Sequence, residues 1–257
     1  MQRSGPVRRV ERHPQATYDP SAWPYMLAPV RQLLEDGLDL APGVTFLVGE
    51  NGSGKSTVVE AVAMAYGLNP EGGSASAMHR TRESESGLHD ALRVVRTAGS
   101  PRWSYFFRAE TMHSLFTYLE QEAPGPRDPT FHELSHGEAF LEVLRTRFDA
   151  PGFYLLDEPE SALSFTACLG LLGMFADLAA SGAQVLCATH SPLLASLPGA
   201  TVLELDDRGF RSTAWADLDL VTHWRSYLAD PQATCATSWP RTEPTSEPWN
   251  GPRTAGG

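Results

Sequence analysis

Residues Val44–Ser56 read VTFLVGENGSGKS and give the strongest indication of the fold. The first five residues form a continuous apolar run, which is typical of a strand buried on both faces. The following GENGSGKS, Gly49–Ser56, fits the pattern GxxxxGK[ST] in full and precedes a helical pattern over Ser56–Tyr66. Backbone N–H groups of such a loop, together with the start of the helix, can surround phosphate groups. A plain glycine-rich turn is the alternative, and the flanking strand and helix argue against it.

This loop predicts a site for ATP and Mg²⁺. Lys55 is expected to reach the β- and γ-phosphates, and the Ser56 hydroxyl to bind Mg²⁺. Lys55 is the chain's only lysine beside nineteen arginines, and a compact ammonium fits between phosphate oxygens better than a planar guanidinium does. The expected nucleotide-binding residues are contiguous in sequence: Gly49, Glu50, Asn51, Gly52, Ser53, Gly54, Lys55, Ser56 and Thr57.

A second apolar run, Phe153–Leu156, ends in two adjacent carboxylates, Asp157 and Glu158. In a parallel sheet the carboxyl ends of the strands face the ligand crevice. We therefore expect Asp157 to hold Mg²⁺ through water and Glu158 to accept a proton from an attacking water molecule. A solvated acidic turn is the alternative for this segment taken alone.

Three further strings stand in order around this segment. LSHGE, Leu134–Glu138, resembles the signature of ABC-type ATPases, SALS, Ser161–Ser164, resembles their D-loop, and ATHSP, Ala188–Pro192, resembles their H-loop. The ordered set identifies the chain as similar to that family over more than half of its length. The resemblance implies an α/β fold of the P-loop NTPase type, with a mainly parallel sheet flanked by helices and a short helical signature subdomain.

The resemblance also implies a head-to-tail homodimer around two ATP molecules. Ser135 and Gly137 would then touch the γ-phosphate bound by the partner copy, Ser161–Ser164 would line the dimer seam, and His190 would contact the γ-phosphate and help to position the water. Taken alone, a histidine after an apolar strand is more often a cap or core residue, and its THSP setting reverses that preference.

Some positions depart from the family pattern. His136 stands where many relatives have glycine. No glutamine follows the strand predicted over Trp103–Phe107, and Glu110 is the nearest polar candidate for that position. Trp23 and Tyr25 are the candidates for an aromatic residue that stacks on adenine.

The spacing of the motifs and the residues within them indicate the branch of the family. Lys55 and Ser135 are 80 residues apart (135 − 55), which leaves no room for the long coiled coils of SMC-type proteins. DEPESALS resembles the SMC, RecF and OLD side and small stand-alone bacterial AAA-family ATPases. Three functions stay open: a soluble ATPase acting in DNA maintenance or defence, the ATP-binding subunit of an ABC transporter, and an ATP-gated dimer clamp with little turnover.

Charge and composition bear on nucleic-acid binding and on the cellular compartment. The formal net charge is −11, which argues against coating nucleic acid with the whole surface. Residues 79–108 carry six arginines against three acidic residues, so a solvated surface stretch and a loop that holds phosphates or nucleic acid both remain. The three cysteines, Cys168, Cys187 and Cys235, form no CxxC pair. That count and the absence of an apolar run long enough for a bilayer predict a cytoplasmic protein.

The expected organisation has three parts. Residues 1–16 are predicted to be a disordered basic N-terminus, residues 17–228 the ATPase domain with a helical signature region at about 70–150, and residues 229–257 a disordered tail rich in Pro and Thr. Further strands are expected at Gln184–Ala188 and in a hairpin formed by Thr201–Leu205 and Phe210–Thr213. A helix over Ala162–Ala180 is predicted to bury the stripe of Phe165, Leu169, Leu172, Phe175 and Ala179.

Overall fold

The architecture is known from a computed structural model of the chain. It describes residues 5–70, 72–74, 86–101, 103–109, 141, 144–148 and 150–232. Ten strands and four helices lie in this part. The strands are β1 (Val7–Arg12), β2 (Leu38–Asp39), β3 (Gly43–Val48), β4 (Gly73–Ser74), β5 (Leu92–Arg96), β6 (Ser104–Arg108), β7 (Phe153–Asp157), β8 (Gln184–Thr189), β9 (Thr201–Asp206) and β10 (Gly209–Ser212). The helices are α1 (Ala28–Asp36), α2 (Lys55–Tyr66), α3 (Phe165–Ser181) and α4 (Asp219–Ala229).

The main sheet has seven strands in the order β10-β9-β3-β8-β7-β6-β4. The five strands from β9 to β6 run parallel, and the two edge strands, β10 and β4, are antiparallel to their neighbours. The predicted fold class, a mainly parallel sheet flanked by helices, is therefore confirmed. A smaller antiparallel sheet has the order β2-β1-β5.

Alternating side chains of the central strands fill two cores, one on each face of the main sheet. Phe153, Leu155 and Leu186 point to the face that carries α1, α2 and the smaller sheet. Tyr154 and Leu156 point to the opposite face, against α3. This period of two explains why the central strands read as unbroken apolar runs, because both faces are covered.

The helices begin and end at residues suited to these positions. Ser164 caps α3 by accepting a hydrogen bond from the N–H of Ala167 at 3.2 Å, which is the usual role of serine at this position. Gly67 and Gly182, at the ends of α2 and α3, adopt left-handed backbone conformations that glycine enters without steric cost. The helix predicted over Ser56–Tyr66 is confirmed as α2.

Two expectations about the ends of the chain need correction or lie beyond the described residues. The N-terminus is not disordered over its whole predicted range, because Val7–Arg12 forms β1 and pairs with β5. Val7 and Val10 are both buried there, three positions apart because the pairing register is irregular between Val7 and Arg9, so the sequence shows no simple alternation. At the other end, α4 runs to Ala229, residues 231 and 232 are helical again after Asp230, and residues 233–257 lie outside the described part.

The buried stripe of α3 also differs from its prediction. The buried residues are Cys168, Leu171, Phe175 and Leu178, whereas Phe165 is 70% exposed and Leu169 46% exposed. The helix is apolar around most of its circumference, so its sequence pattern does not indicate which face packs against the sheet. Within the helical signature region expected at about 70–150, residues 141 and 144–147 are described and are helical.

Candidate functional site

The phosphate loop lies between the end of β3 and the start of α2. A side chain at Gly49 would place its Cβ 2.3 Å from the carbonyl oxygen of Leu205 on β9, so no larger residue fits. Gly54 adopts φ +93°, a conformation that glycine alone enters readily, and this turns the chain into α2. The loop is thus held against β9 while its N–H groups stay at the start of a helix.

Lys55 is directed into this loop. Its side chain is only 3% exposed, and its Nζ donates a hydrogen bond to the carbonyl oxygen of Glu50 at 2.8 Å. Burial lowers the pKa of Lys55, while the carboxylates of Glu158, Asp157, Glu160 and Glu50 oppose that shift. A buried ammonium surrounded by acidic groups gains a favourable partner when a phosphate enters.

Asp157 ends β7 and is 6% exposed. Arg108 ends the neighbouring strand β6 and pairs with Asp157 in register. Its Nε lies 3.8 Å from Oδ2 of Asp157, and its Nη1 donates to Oε2 of Glu60 on α2 at 2.9 Å. Arg108 therefore connects the end of β7 to the helix that follows the phosphate loop.

Glu158 follows Asp157 and has a left-handed backbone with φ 48° and ψ 51°. Among the described residues it is the one non-glycine residue with positive φ. Its N–H donates to the carbonyl oxygen of Ala188 at 3.0 Å, and its carbonyl oxygen accepts from the N–H of Ser161 at 3.1 Å. Such a conformation costs about 1–3 kcal/mol and is typical of functional positions.

His190 follows β8 and meets Glu158 across the edge of the sheet. Its Nε2 lies 2.9 Å from Oε1 of Glu158, and both side chains are about one third exposed, at 30% and 36%. The pair is thus hydrogen-bonded and still open to solvent. A carboxylate held in this way can accept a proton from a water molecule.

These groups share one edge because their strands are adjacent. β8 lies between β3 and β7, and Val48 pairs with Thr189 while Asp157 pairs with Ala188. The phosphate loop, His190 and the two carboxylates consequently start from the same level of the sheet. The carboxyl edge of a parallel sheet is where open α/β folds bind their ligands.

The chain matches two family models, each over part of its length. One, described as "AAA domain", matches residues 30–97, and the other, described as "AAA domain, putative AbiEii toxin, Type IV TA system", matches residues 132–196. The chain is also 34% identical over 184 residues to the cytochrome c biogenesis ATP-binding export protein CcmA of Rhodospirillum rubrum, covering 65% of this chain and 76% of that protein. It belongs to the ABC-type P-loop ATPases.

The chain is also similar to a second CcmA protein and to one solved structure. The CcmA protein of Paramagnetospirillum magneticum is 32% identical over 181 residues, which cover 65% of this chain and 82% of that protein. A solved structure, cbiO1 from Clostridium perfringens, described as part of the ABC transporter complex cbiONQ, superposes with a TM-score of 0.46 at 14% identity, covering 91% of this chain and 99% of that one. The assignment rests on the sequence relatives.

The structure brings together most of the residues singled out from the sequence of this ABC-type ATPase. Lys55, Asp157, Glu158 and His190 lie at one edge, and Ser56 and Thr57 stand in the first turn of α2. The predicted signature residues Ser135 and Gly137, and Glu110, lie outside the described residues. Their predicted roles stay predictions.

Two residues of the site were not predicted from the sequence. Arg108 was given no role from the sequence, and it lies beside Asp157; its place directly after the apolar run of β6 was the available signal. Glu160 was quoted in DEPE without a role, yet its Oε1 accepts hydrogen bonds from Thr189 Oγ1 and from the N–H of His190, both at 2.6 Å. The contacts of Arg108 and of Glu160 both depend on which strands are neighbours in the sheet.

Proposed function

We propose that this ABC-type ATPase binds Mg-ATP and hydrolyses it to ADP and phosphate, with Glu158 as the general base. The observation that carries the proposal is the hydrogen-bonded Glu158–His190 pair at the same sheet edge as the phosphate loop and the buried Lys55. A protein that only held ATP would need the loop and would have no use for a carboxylate oriented towards solvent beside it.

ATP binding belongs to the loop Gly49–Ser56 and to Thr57. The N–H groups of the loop and the first turn of α2 supply hydrogen-bond donors and partial positive charge for the phosphates. Lys55 exchanges its bond with the carbonyl oxygen of Glu50 for phosphate oxygens. Because the Lys55 side chain is already buried, it loses little side-chain freedom in doing so.

Proton transfer belongs to Glu158. Its carboxylate accepts a proton from the attacking water molecule, and the imidazole of His190 holds the carboxylate in place through the 2.9 Å contact. The left-handed backbone at Glu158 turns its side chain away from the sheet and towards His190. Such fixed geometry contributes to rate because the reacting groups need no rearrangement.

The residues at this edge also suit Mg²⁺, which prefers oxygen ligands. The hydroxyl of Ser56 and the carboxylate of Asp157 would hold the ion, Asp157 through water. Across the described residues, no group of three His, Cys, Asp or Glu could hold a metal alone, as suits an ion bound mainly through nucleotide phosphates. When bound, Mg²⁺ neutralises charge on the phosphates and polarises them for attack.

We further propose that two copies associate head to tail, so that Ser135 and Gly137 of one copy complete the site of the other. The family resemblance of LSHGE supports this arrangement. The short turn Pro159–Ala162 and the exposed Ser161 and Ser164 that follow Glu158 are available to line the seam. The phosphate loop leaves the γ-phosphate accessible from one side, where a second group must stabilise the charge of the transition state.

A transporter subunit is the second candidate, and the comparisons favour it. Both CcmA relatives are named ATP-binding export proteins. In the described part of the chain, no helix is long and apolar enough to cross a membrane, so a transporter role would need a membrane partner. Co-purification with a membrane protein would support this candidate over a stand-alone ATPase, and a stable dimer with ATP but no turnover would support the dimer clamp.

For the cellular setting we propose the cytoplasm and a role in DNA maintenance or defence, close to the SMC, RecF and OLD branch. DEPESALS and the short distance between Lys55 and Ser135 support the branch. Cys168 and Cys187 are buried free thiols, which suits a reducing compartment. DNA or a partner protein is the further ligand of this proposal, and the arginine-rich residues 79–108 are the candidate stretch for nucleic acid.

Phosphate release from Mg-ATP tests the enzymatic proposal. We expect the parent protein to release phosphate with Mg²⁺ and not with excess chelator, and the Lys55→Ala variant to lose ATP binding in calorimetry because the loop loses its one ammonium. Arg12→Ala, which removes an exposed cation on β1, is the matched control. Equal ATP affinity of Lys55→Ala and the parent would contradict the site, and assays with and without DNA separate the DNA role from hydrolysis itself.

A further inference from the structure

Glu160 lies two residues after Glu158, on the short 3-10 turn Pro159–Ala162. A single oxygen of its carboxylate, Oε1, accepts two hydrogen bonds, from Thr189 Oγ1 and from the N–H of His190, both at 2.6 Å. Its other oxygen, Oε2, is buried and has no hydrogen-bond partner among the described residues. One acceptor atom of the turn therefore binds both the last residue of β8 and the residue that follows it.

The connection continues into the segment after His190. Thr189 is completely buried, and its Oγ1 in turn accepts a hydrogen bond from the N–H of Ser191 at 3.0 Å. Ser191 Oγ accepts from the N–H of Leu194 at 3.3 Å, where the next 3-10 turn starts. The backbone on both sides of His190 is thus fixed relative to the turn that carries Glu158.

We infer that Glu160 is a positioning residue that holds the imidazole of His190 against the carboxylate of Glu158. The inference rests on the proposed function, since it assigns Glu160 to the base pair that hydrolysis would use. One end of that pair is set by the backbone of Glu158, which is bonded to Ala188 and Ser161. The other end is set by Glu160, so a single turn orders both partners.

The proposed role of Glu160 requires a hydrogen-bond acceptor but does not require a negative charge. Glutamine has nearly the shape of glutamate, and its amide oxygen can accept both bonds that Oε1 accepts. Its NH₂ group would then take the place of Oε2, where neither Thr189 nor His190 presents a donor that would conflict with it. A carboxylate that acted as a metal ligand or as a second proton acceptor would instead need its charge, and glutamine would not replace it.

Four variants separate these roles. Glu160→Gln keeps the hydrogen-bond acceptor, and Glu160→Ala removes it. Thr189→Val removes the hydroxyl donor with nearly the same side-chain shape, and Thr189→Ser retains the hydroxyl as the matched control. Two measurements apply to each variant: kcat and KM for ATP, and the hydrogen-exchange rate of the His190 amide. We expect Glu160→Ala to lower kcat about 10–100-fold, as for a misplaced catalytic group, with KM nearly unchanged. The His190 amide should exchange at least about tenfold faster, as expected when a buried hydrogen bond is lost.

Glu160→Gln is expected to stay within about threefold of the parent in kcat, with slow exchange at His190, because both bonds survive. Thr189→Val should lie between the parent and Glu160→Ala, and Thr189→Ser close to the parent. If Glu160→Gln were as inactive as Glu160→Ala while His190 stayed protected, the charge would be needed and the inference would be overturned. Unchanged kcat and exchange in Glu160→Ala would overturn it as well.

The exchange measurement keeps this inference separate from the proposed function. If the parent protein released no phosphate, hydrolysis would fail as a function, while exchange at His190 in the Gln and Ala variants would still show whether Glu160 fixes that residue. If Glu160→Ala did not fold, the comparison of Thr189→Val with Thr189→Ser would make the same test from the donor side.

Discussion

The conformation of one residue, Glu158, decides where the acidic groups of the site point. After β7 an extended backbone would continue the strand, whereas φ 48° turns the chain at once into the 3-10 turn that carries Glu160. Asp157 stays buried in the sheet, and Glu158 and Glu160 reach His190 from two directions. The sequence indicated Asp157 and Glu158 because they follow an apolar run, but it could not indicate Glu160, whose role depends on this turn.

His190→Ala tests the contact at the residue scale. We expect turnover to fall roughly 10–10²-fold because Glu158 loses the partner that orients it, while ATP affinity stays within about threefold because Lys55 and the loop are untouched. Turnover and calorimetric affinity are the measurements, and His223→Ala, which removes an exposed histidine of α4, is the control. A loss of affinity without a loss of turnover would place His190 in nucleotide binding instead.

At the scale of the elements, adjacency of strands assembles the site. The sequence predicted β3, β7, β8 and the β9–β10 hairpin from their apolar runs, and these are confirmed. It did not predict β1, α1, β2 or β5. In β1 and β5, arginines interrupt the apolar pattern. Nor could it place β6 beside β7 and so bring Arg108 to Asp157, since strand order depends on contacts between residues far apart in sequence.

Gln184, at the start of β8, joins the smaller sheet to the main one. Its Oε1 accepts from the N–H of Val7 at 2.8 Å, and its Nε2 donates to the carbonyl oxygens of Val7 and Ala41 at 3.0 and 2.9 Å. The side chain is 1% exposed, so these bonds are shielded from water. A hydrophobic residue there would leave several buried backbone groups without partners.

We therefore expect Gln184→Leu to lower the free energy of unfolding by about 2–4 kcal/mol, since each buried group left unsatisfied costs roughly 1–3 kcal/mol. Urea unfolding followed by circular dichroism measures the change. Gln15→Leu, at an exposed position, should change stability by less than about 0.5 kcal/mol. A change of similar size in both variants would show that Gln184 does not join the sheets in this way.

At the scale of the whole molecule, we propose that a second chain completes the site of the first. Glu158, His190 and Lys55 belong to one copy. Arg108 is engaged with Glu60 and Asp157. The group that stabilises the γ-phosphate from the open side would then be the predicted signature of the partner, which starts near Ser135.

A mixing experiment tests the shared site. Lys55→Ala and Ser135→Arg chains, each inactive alone, should partly recover phosphate release when mixed, because the intact loop of one then meets the intact signature of the other. The expected recovery is at most about half of parental turnover, since one of the two sites stays defective. Heterodimers that form and hydrolyse nothing, or a parent that hydrolyses ATP as a strict monomer, would count against the shared site.

The most direct test of the central claim is single-turnover phosphate release by Glu158→Gln, with Glu35→Gln on the exposed face of α1 as the control. We expect Glu158→Gln to bind Mg-ATP with parental affinity, to release phosphate about 10²–10⁴-fold more slowly, and to accumulate as an ATP-bound dimer. Phosphate release by Glu158→Gln at the parental rate would show that Glu158 is not the general base, because the proton would then be accepted elsewhere.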